Sequence, residues 1–219
     1  KLPEDWTRLQ AKQVLKDKGA KEVVPALEKW IAALDKNVEN YEHSLLEGLW
    51  VYQSLDVVNE SLLRTLVDAK TPQARAAGLR ALRLWHTKIP NLSAMLDKAI
   101  KDKHPQVRLE AVVALRYLKS AEAARTALEA VEQPMDEFLD FALWQTVREL
   151  EPMWITKFNA DPNFFGQNKR SIYALKSVSN PKAVAQLAKL YQSKQIPEEY
   201  NDDVLASIAK WGSAEDLNI

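Results

Sequence analysis

Cysteine is absent from this chain of 219 residues, and glycine is scarce, with 5 residues. Without cysteine the segment forms no disulfide, offers no thiolate nucleophile or ligand, and cannot attach haem covalently. Few glycines combined with many alanine, leucine, lysine and glutamate residues favour helices. No apolar run reaches the roughly 18–20 residues that cross a bilayer. The chain begins at Lys1 without a methionine, which predicts a fragment of a longer protein.

An excess of either charge is also lacking, because 30 basic residues balance 30 acidic residues. A protein that binds nucleic acid usually carries a basic excess on one face, and nothing in this sequence indicates one. The hydrophobic fraction of 47% is ample for a packed core.

A repeat is the main positive feature of the sequence. Seven segments share a small residue that is followed by large apolar residues about four and seven positions later. Successive small residues are 37, 30, 33, 31, 32 and 32 positions apart. A period of about 30–40 in a helix-rich sequence predicts a solenoid of stacked helix pairs. The seven small residues are Ala11, Gly48, Gly78, Ala111, Ala142, Ala174 and Ala206.

The third and fourth repeats define the pattern most clearly, because residues 71–82 align without gaps to residues 104–115. Each segment has a proline at the predicted first helical position, where the missing N–H costs no helical hydrogen bond. Thr71 is placed to cap the first helix of the third repeat, and Gly19 is placed to end the opening helix of the chain. The shared pattern P-x-[VA]-R-x-x-[AG]-x-x-A-L resembles the first helix of a HEAT repeat.

The HEAT resemblance also implies a ladder of charged residues between neighbouring repeats. Arg8, Arg75 and Arg108 occupy one slot, three residues before the small residue, and Asp68 and Asp102 shortly precede two of the prolines. HEAT repeats often join such arginine and aspartate residues across units. Solvated surface charge is the alternative interpretation of the same residues.

The second helix of each pair is predicted near 22–35, 58–69, 91–102, 121–132 and 181–193. In the fifth repeat we expect a short second helix over 153–159 and then an intruding loop over 161–166. No linker divides the sequence, so residues 1–219 are predicted to form one right-handed all-α superhelix of about seven HEAT-like pairs.

A closer resemblance extends over residues 5–217. It depends on the stretches 47–53, 135–143 and 148–154. The chain resembles the HEAT region of large multidomain proteins from Planctomycetes, Verrucomicrobia and some Bacteroidetes. In that family a propeller similar to sugar dehydrogenases precedes the HEAT region, and a c-type haem domain with a CxxCH motif follows it. The resemblance implies an extracytoplasmic location, but the segment has no CxxCH, so redox chemistry would belong to other domains.

Candidate chemistry is sparse in the sequence. The three histidines, His43, His86 and His104, lie in different repeats, and no triad order, HExxH, P-loop or GxGxxG occurs. His43 and Glu47 are spaced to share one helix face, where they are either two metal ligands or a surface pair, and the absence of a third ligand favours the pair. His104 is placed at a helix start. We therefore expect no catalytic residue, cofactor or metal in this segment.

An acidic stretch with interleaved aromatic residues is the leading candidate for a contact surface. Residues 126–147 contain no lysine or arginine, and Phe138, Phe141 and Trp144 lie among the acids. Such a surface can dock a basic partner. The alternative is that the aromatic residues belong to the core and the acids favour a helix N-terminus. The acidic residues are Glu129, Glu132, Asp136, Glu137 and Asp140.

Other aromatic residues divide into two predicted groups. Trp154, Phe164 and Phe165 fall in a predicted irregular region, so we expect them to be exposed contact sites. By contrast, Trp50, Trp85 and Trp144 lie near the small residues of first helices, which predicts that they pack in the core between repeats.

The resulting expectation is a monomeric, non-catalytic scaffold that spaces flanking domains or binds a protein partner, with no nucleic acid and no membrane span. One alternative is a HEAT-like DNA glycosylase or another nucleic-acid-binding solenoid, either of which needs a basic groove that the neutral charge does not indicate. A second alternative is a tetrapyrrole-handling HEAT-like lyase or chaperone, for which no ligand set is apparent. A third is a structural spacer without a partner.

Overall fold

The structure is a computed structural model that describes residues 5–217, and those residues contain thirteen α-helices and no β-strand. The chain is therefore all-α. Residues 1–4 and 218–219 of the predicted domain lie outside the described residues. Two 3₁₀ turns span Leu128–Glu132 and Glu198–Tyr200. The helices are α1 Asp5–Lys18, α2 Ala20–Ala32, α3 Tyr41–Ser54, α4 Glu60–Val67, α5 Pro72–Trp85, α6 Leu92–Ala99, α7 Pro105–Arg116, α8 Ala121–Ala127, α9 Glu137–Glu149, α10 Glu151–Ala160, α11 Asn168–Ser177, α12 Pro181–Gln192 and α13 Asn201–Trp211.

Polar caps set where several helices begin. The side chain of Asn59 accepts from the Leu62 N–H at 2.9 Å, and that of Asp136 accepts from the Leu139 N–H at 2.8 Å. Each bond satisfies a donor that the first turn leaves without a helical partner. Thr71 also occupies the cap position of α5, but its hydroxyl instead donates to the carboxylate of Glu42 at 2.6 Å. Thr71 is therefore the cap residue by position as predicted, but its side chain accepts no hydrogen bond from the first turn of α5.

The helix positions follow the predicted ones with two corrections. The second helix predicted over 121–132 is α-helical only to Ala127 and continues as a 3₁₀ turn. Gly19, with a φ of 83°, ends α1 as expected, since a positive φ suits a residue without a Cβ. The second helix of the fifth repeat is predicted to be short, but α10 has 10 residues and is longer than α4 and α6, which have 8 each. Trp154 and Phe158 lie four residues apart on one face, and burying both requires more than one helical turn.

The helices form two compact units, and the division falls within α6 after Met95. In the first unit α3 is central and packs against α1, α2, α4 and α5. Its core is built from leucine side chains that are almost inaccessible to solvent, and these are Leu45, Leu49, Leu63, Leu66, Leu79 and Leu82.

In the second unit α9 packs against α7, α8, α10 and α11, and α11 in turn packs against α12 and α13. Branched and aromatic residues fill this core. The fully buried members include Leu115, Leu128, Leu139, Leu143, Trp154, Phe165, Leu187 and Val204.

The small residues of the repeat lie where helices approach closely. A Cβ added to Gly78 would lie 3.1 Å from the backbone nitrogen of Val67 in α4. All seven small residues fall on the first helices, and the five from Gly48 to Ala174 are buried. Ala11 is only half-buried and Ala206 is exposed, so the first and last of the seven small residues are less buried than the inner five.

Two of the three ladder arginines hold the loop that precedes their own helix. Nη1 of Arg75 donates to the carbonyls of Ala69 and Lys70 at 2.9 and 2.8 Å. Nη1 of Arg108 donates to the equivalent carbonyls, those of Asp102 and Lys103, at 2.8 and 3.1 Å. A planar guanidinium can serve two acceptors at once, and the bonds fix how the first helix leaves the loop.

Arg108 also ties its repeat to the next one. It donates to the side-chain oxygen of Gln133 at 3.3 Å and to the carbonyl of Pro134, both just before α9. The residue is buried, with 2% of its surface exposed. Burial lowers the pKa of its guanidinium, and the charges of Asp102 and Asp136 offset part of that effect.

The remaining ladder positions differ from this scheme. Arg8 pairs with the carboxylate of Glu47 in α3 at 3.0 Å. Asp102 accepts a hydrogen bond from the backbone N–H of His104 at 2.9 Å, while Asp68 lies directly after the end of α4. The arginine slot therefore holds two loop clamps and one helix-to-helix ion pair.

Candidate interaction surface

The outward face of α9 carries a row of aromatic side chains. Phe138, Phe141 and Trp144 follow one another at three-residue spacing and are 67%, 60% and 37% exposed. The opposite face of α9 is buried, and α7 packs closely against this helix. Three-residue steps keep side chains on one side of a helix, so the aromatic row is turned away from the core. The predicted core role of Trp144 is therefore wrong, whereas Trp85 is buried as expected.

Two rings of the row pack on one another. Phe141 and Trp144 are stacked, with ring centroids 5.7 Å apart and an interplanar angle of 28°. The guanidinium carbon of Arg148 lies 4.6 Å from the centroid of the Trp144 ring, which is a cation–π distance. These contacts hold the rings of Phe141 and Trp144 in place and reduce the side-chain entropy that these residues would lose when a partner binds.

Carboxylates lie between the rings and at the start of the row. Asp136, Glu137 and Asp140 are all exposed. Asp136 caps α9, and Asp140 accepts a hydrogen bond from the hydroxyl of Tyr173 at 2.8 Å. Among residues 5–217, Glu137 and Asp140 form no ion pair. The start of α9 therefore presents negative charge that no basic residue of the described chain pairs with directly.

Two of the five predicted acids have a different role. Glu132 pairs with Arg170 at 2.9 Å, and Glu129 pairs with Lys101 at 3.0 Å and lies 3.9 Å from Arg170. These contacts join the 3₁₀ turn after α8 to Lys101, just after α6, and to Arg170 in the first turn of α11. Glu129 and Glu132 thus act within the fold, because their charges are already neutralised by neighbouring cations.

A cleft of about 650 Å³ adjoins the acidic start of α9. It lies between the loop before α9 and one side of α11, and Tyr200 completes its wall. A second depression of about 260 Å³ shares Asp140, Tyr173 and Lys176 with the first and continues toward α13. Together they form a groove beside the aromatic row.

Tyr173 determines where the acidic side of this groove lies. Its hydroxyl donates to the side chain of Asp140 and lies 2.9 Å from the Asp140 carbonyl. Burial raises the pKa of the Tyr173 hydroxyl, and the hydrogen bond to Asp140 and the charge of Asp140 raise it further. The hydroxyl therefore remains protonated and holds α11 against α9.

Lys176 shows how this groove holds a cation. Its ammonium pairs with Asp203 at 2.7 Å. It also lies 5.5 Å from the ring centroid of Tyr173 and 5.4 Å from that of Tyr200. Two aromatic faces and one carboxylate therefore surround one cation.

The three aromatic residues predicted after α9 do not form an exposed site. Trp154 and Phe165 are both 0% exposed, and Phe164 is half-buried. The indole N–H of Trp154 donates to the Val147 carbonyl at 2.9 Å, and the rings of Trp154 and Phe165 meet edge to face at 5.3 Å. The contact role predicted for Trp154 and Phe165 is wrong, because the loop over 161–166 folds back and buries its own aromatic residue beside α10.

The first unit contains a separate apolar groove of about 380 Å³ between α1, α2 and α3. Leu15, Leu27 and Trp30 are among the apolar residues that line it. At its rim, Glu47 accepts from Lys12 at 2.7 Å and lies 3.2 Å from Nε2 of His43. The cations of Arg8 and Lys12 thus already occupy the carboxylate that was considered as a metal ligand.

Other classes of site gain no support from the described part of the chain. No group of three or more histidine, aspartate and glutamate side chains in residues 5–217 is arranged to hold a metal ion. Within the same residues, no helix is long and apolar enough to cross a bilayer. Comparisons of the chain with protein-family models, curated proteins and solved structures found no match.

Proposed function

We propose that this chain is a HEAT-like α-solenoid of about seven helix pairs that acts as a non-catalytic scaffold in a larger redox-type protein. The all-helical fold and the regular spacing of its small residues support this proposal. So do the loop clamps of Arg75 and Arg108, which occupy equivalent positions in two repeats. A scaffold of this kind acts by geometry, since each repeat contacts its neighbours and presents an extended surface.

Binding of a protein partner is the role that we favour for this scaffold, and the aromatic row of α9 is the observation that supports it. Exposing Phe138 and Phe141 to water is unfavourable, and aromatic residues, phenylalanine included, are enriched at protein interfaces relative to the rest of the surface. A spacer without a partner would gain nothing from these two rings. The surface formed by Asp136, Glu137, Phe138, Asp140, Phe141 and Trp144 is called the α9 surface below.

Selection from a displayed library of linear peptides tests this role. The purified chain serves as the target, and each selected peptide is then measured on the double variant Phe138→Ala/Phe141→Ala. Both rings are largely exposed, so the double variant should fold normally. We expect selected peptides to bind the unaltered chain and to lose about tenfold or more in affinity on the double variant.

Trp6→Ala is the matched control, because Trp6 in α1 is 69% exposed and Phe138 is 67% exposed. Peptides that use the α9 surface should bind this control as tightly as the unaltered chain. If no peptide is selected, or if every selected peptide binds the double variant equally well, the partner-binding role is wrong and the spacer interpretation replaces it.

A further inference from the structure

We infer that the partner of the α9 surface is a basic segment whose arginine side chains lie against Phe138 and Phe141 and pair with Glu137 and Asp140. This inference rests on the proposed function and adds the chemistry of the partner. It follows from the juxtaposition of exposed rings, exposed carboxylates and a groove on one side of the second unit.

Charge is the first reason. Residues 126–147 contain no lysine or arginine, and Glu137 and Asp140 flank Phe138 within one turn of α9. Because Glu132 is neutralised by Arg170, the negative charge that remains is concentrated beside the aromatic row. Complementary charge steers association and selects the partner that carries it.

The rings are the second reason, because they distinguish arginine from other cationic groups. A guanidinium is planar and weakly hydrated, so it stacks on aromatic faces while it pairs with a carboxylate. The chain already contains the stacking contact, since the guanidinium carbon of Arg148 lies 4.6 Å from the centroid of the Trp144 ring. Phe141 contacts Trp144 on one side and is still 60% exposed, which leaves ring surface for a guanidinium from outside.

The shape of the surface is the third reason, and it favours a segment over a single residue. The cleft of about 650 Å³ and the depression of about 260 Å³ share Asp140 and continue along α11. Consecutive side chains of an extended segment can therefore enter the groove while others lie on the aromatic row. A nucleic acid or an anionic lipid surface would bring phosphates against Glu137 and Asp140, which is unfavourable.

A second copy of this chain is a poor occupant of the same surface. A two-fold contact through the α9 surface would place Glu137 and Asp140 opposite the same carboxylates of the other copy. Like charges so arranged repel one another.

Fluorescence anisotropy with two labelled peptides tests the inference on the whole chain. One peptide alternates arginine with glycine, and the other carries citrulline in place of arginine, so the two differ in charge but hardly in shape. The chain has a formal net charge of zero, so attraction that is not specific to a site should be weak. We expect the citrulline peptide to bind at least about tenfold more weakly, and the affinity of the arginine peptide to fall with added salt.

Two variants locate the binding. Glu137→Gln/Asp140→Asn removes both charges but keeps an amide oxygen at position 140 that can accept the hydrogen bond from Tyr173. This variant should bind the arginine peptide about tenfold more weakly than the unaltered chain does. Glu215→Gln is the matched control, because Glu215 is exposed and distant from α9 in the sequence. This variant should bind the arginine peptide as tightly as the unaltered chain does. Equal binding of both peptides, or equal binding to the charge variant and the unaltered chain, would overturn the inference.

The inference and the proposed function fail in different ways. If the library yields neutral or acidic peptides that need Phe138 and Phe141, the partner-binding role stands and the basic partner is wrong. If no selected peptide needs these rings, the partner-binding role itself fails.

Discussion

Gly78 lies so close to Val67 that a single added carbon would press against the backbone of the neighbouring helix. A Cβ on Gly78 would approach the Val67 nitrogen to 3.1 Å and the carbonyl carbon of Leu66 to 3.3 Å. Gly48, at the equivalent position of the preceding repeat, would instead meet the tip of the Ile31 side chain at 3.0 Å. A side-chain tip can rotate away, whereas a helix backbone cannot move without disturbing its own hydrogen bonds.

Alanine substitution should therefore have opposite effects at these two glycines. Alanine is favoured over glycine in a helix by about 1 kcal/mol, and Gly48→Ala should retain most of this gain. Gly78→Ala should lower the free energy of unfolding by about 1–3 kcal/mol, because overpacking against α4 outweighs the gain. Urea unfolding of both variants measures the difference. Equal stability of the two would show that the close contact at Gly78 is wrongly placed.

Arg108 should be more sensitive to replacement than Arg75. Lysine keeps the charge but cannot serve the carbonyls of Asp102, Lys103 and Pro134 together, and the site is buried. Arg108→Lys should therefore cost about 2–3 kcal/mol of unfolding free energy. Arg75→Lys should cost less than about 1 kcal/mol, because Arg75 is half-buried and water can replace its bonds. Chemical denaturation checks the pair, and a larger loss at Arg75 would contradict the inter-repeat role of Arg108.

The adjacent residues Phe164 and Phe165 should differ sharply in their effect on stability. Phe165 is fully buried against Trp154 and Phe158, so Phe165→Ala should lower the free energy of unfolding by about 3–5 kcal/mol. Phe164 is only half-buried, so Phe164→Ala should lower the free energy of unfolding by only about 1–2 kcal/mol. Thermal unfolding of the two variants distinguishes them. A milder effect at Phe165 would mean that the loop over 161–166 does not fold back beside α10.

Glu47 should make the first unit sensitive to acid. Burial raises the pKa of Glu47, but the hydrogen bond from Lys12 and the charges of Lys12, His43 and Arg8 outweigh burial and lower it. A lowered pKa in the folded state means that the stabilisation is complete above the usual glutamate value of about 4.3 and is lost as the pH falls through the folded value.

Comparison with Glu47→Gln isolates this effect. At pH 7 the variant should be about 2 kcal/mol less stable than the unaltered chain, and the difference should shrink toward pH 3. Glu22→Gln is the control, because Glu22 and its partner Lys18 are both more than half exposed, and it should change stability by less than about 0.5 kcal/mol. A difference that persists unchanged to low pH would refute the electrostatic role of Glu47.

Local signals in the sequence predicted the helices well. These signals are proline at the first turn of α5, α7 and α12 and glycine after α1. They act within a few residues, so their effect can be predicted without the tertiary structure. The arginine slot was also visible, because Arg75 and Arg108 recur at one distance from the small residue. Its bonding partners were not, since backbone carbonyls leave no mark in the sequence.

The aromatic residues show where sequence patterns stop being informative. Trp144 and Trp85 both follow a small residue on a first helix, yet Trp144 is exposed and Trp85 is buried. Conversely, Trp154 and Phe165 were expected in an irregular, exposed region and are fully buried. Which side of a helix faces its neighbour depends on packing between repeats, and one sequence without that packing does not determine it. The acidic character of the α9 surface was predictable, whereas the internal pairing of Glu129 and Glu132 required the positions of Lys101 and Arg170.

The most direct test of the account is an amide chemical-shift map of the isotope-labelled chain during titration with a peptide selected on it. The account predicts that the largest changes fall on residues 136–148 and on α11 near Tyr173 and Lys176. Changes confined to the apolar groove of α1, α2 and α3, or scattered without a maximum on α9, would contradict the claim that the α9 surface binds a partner.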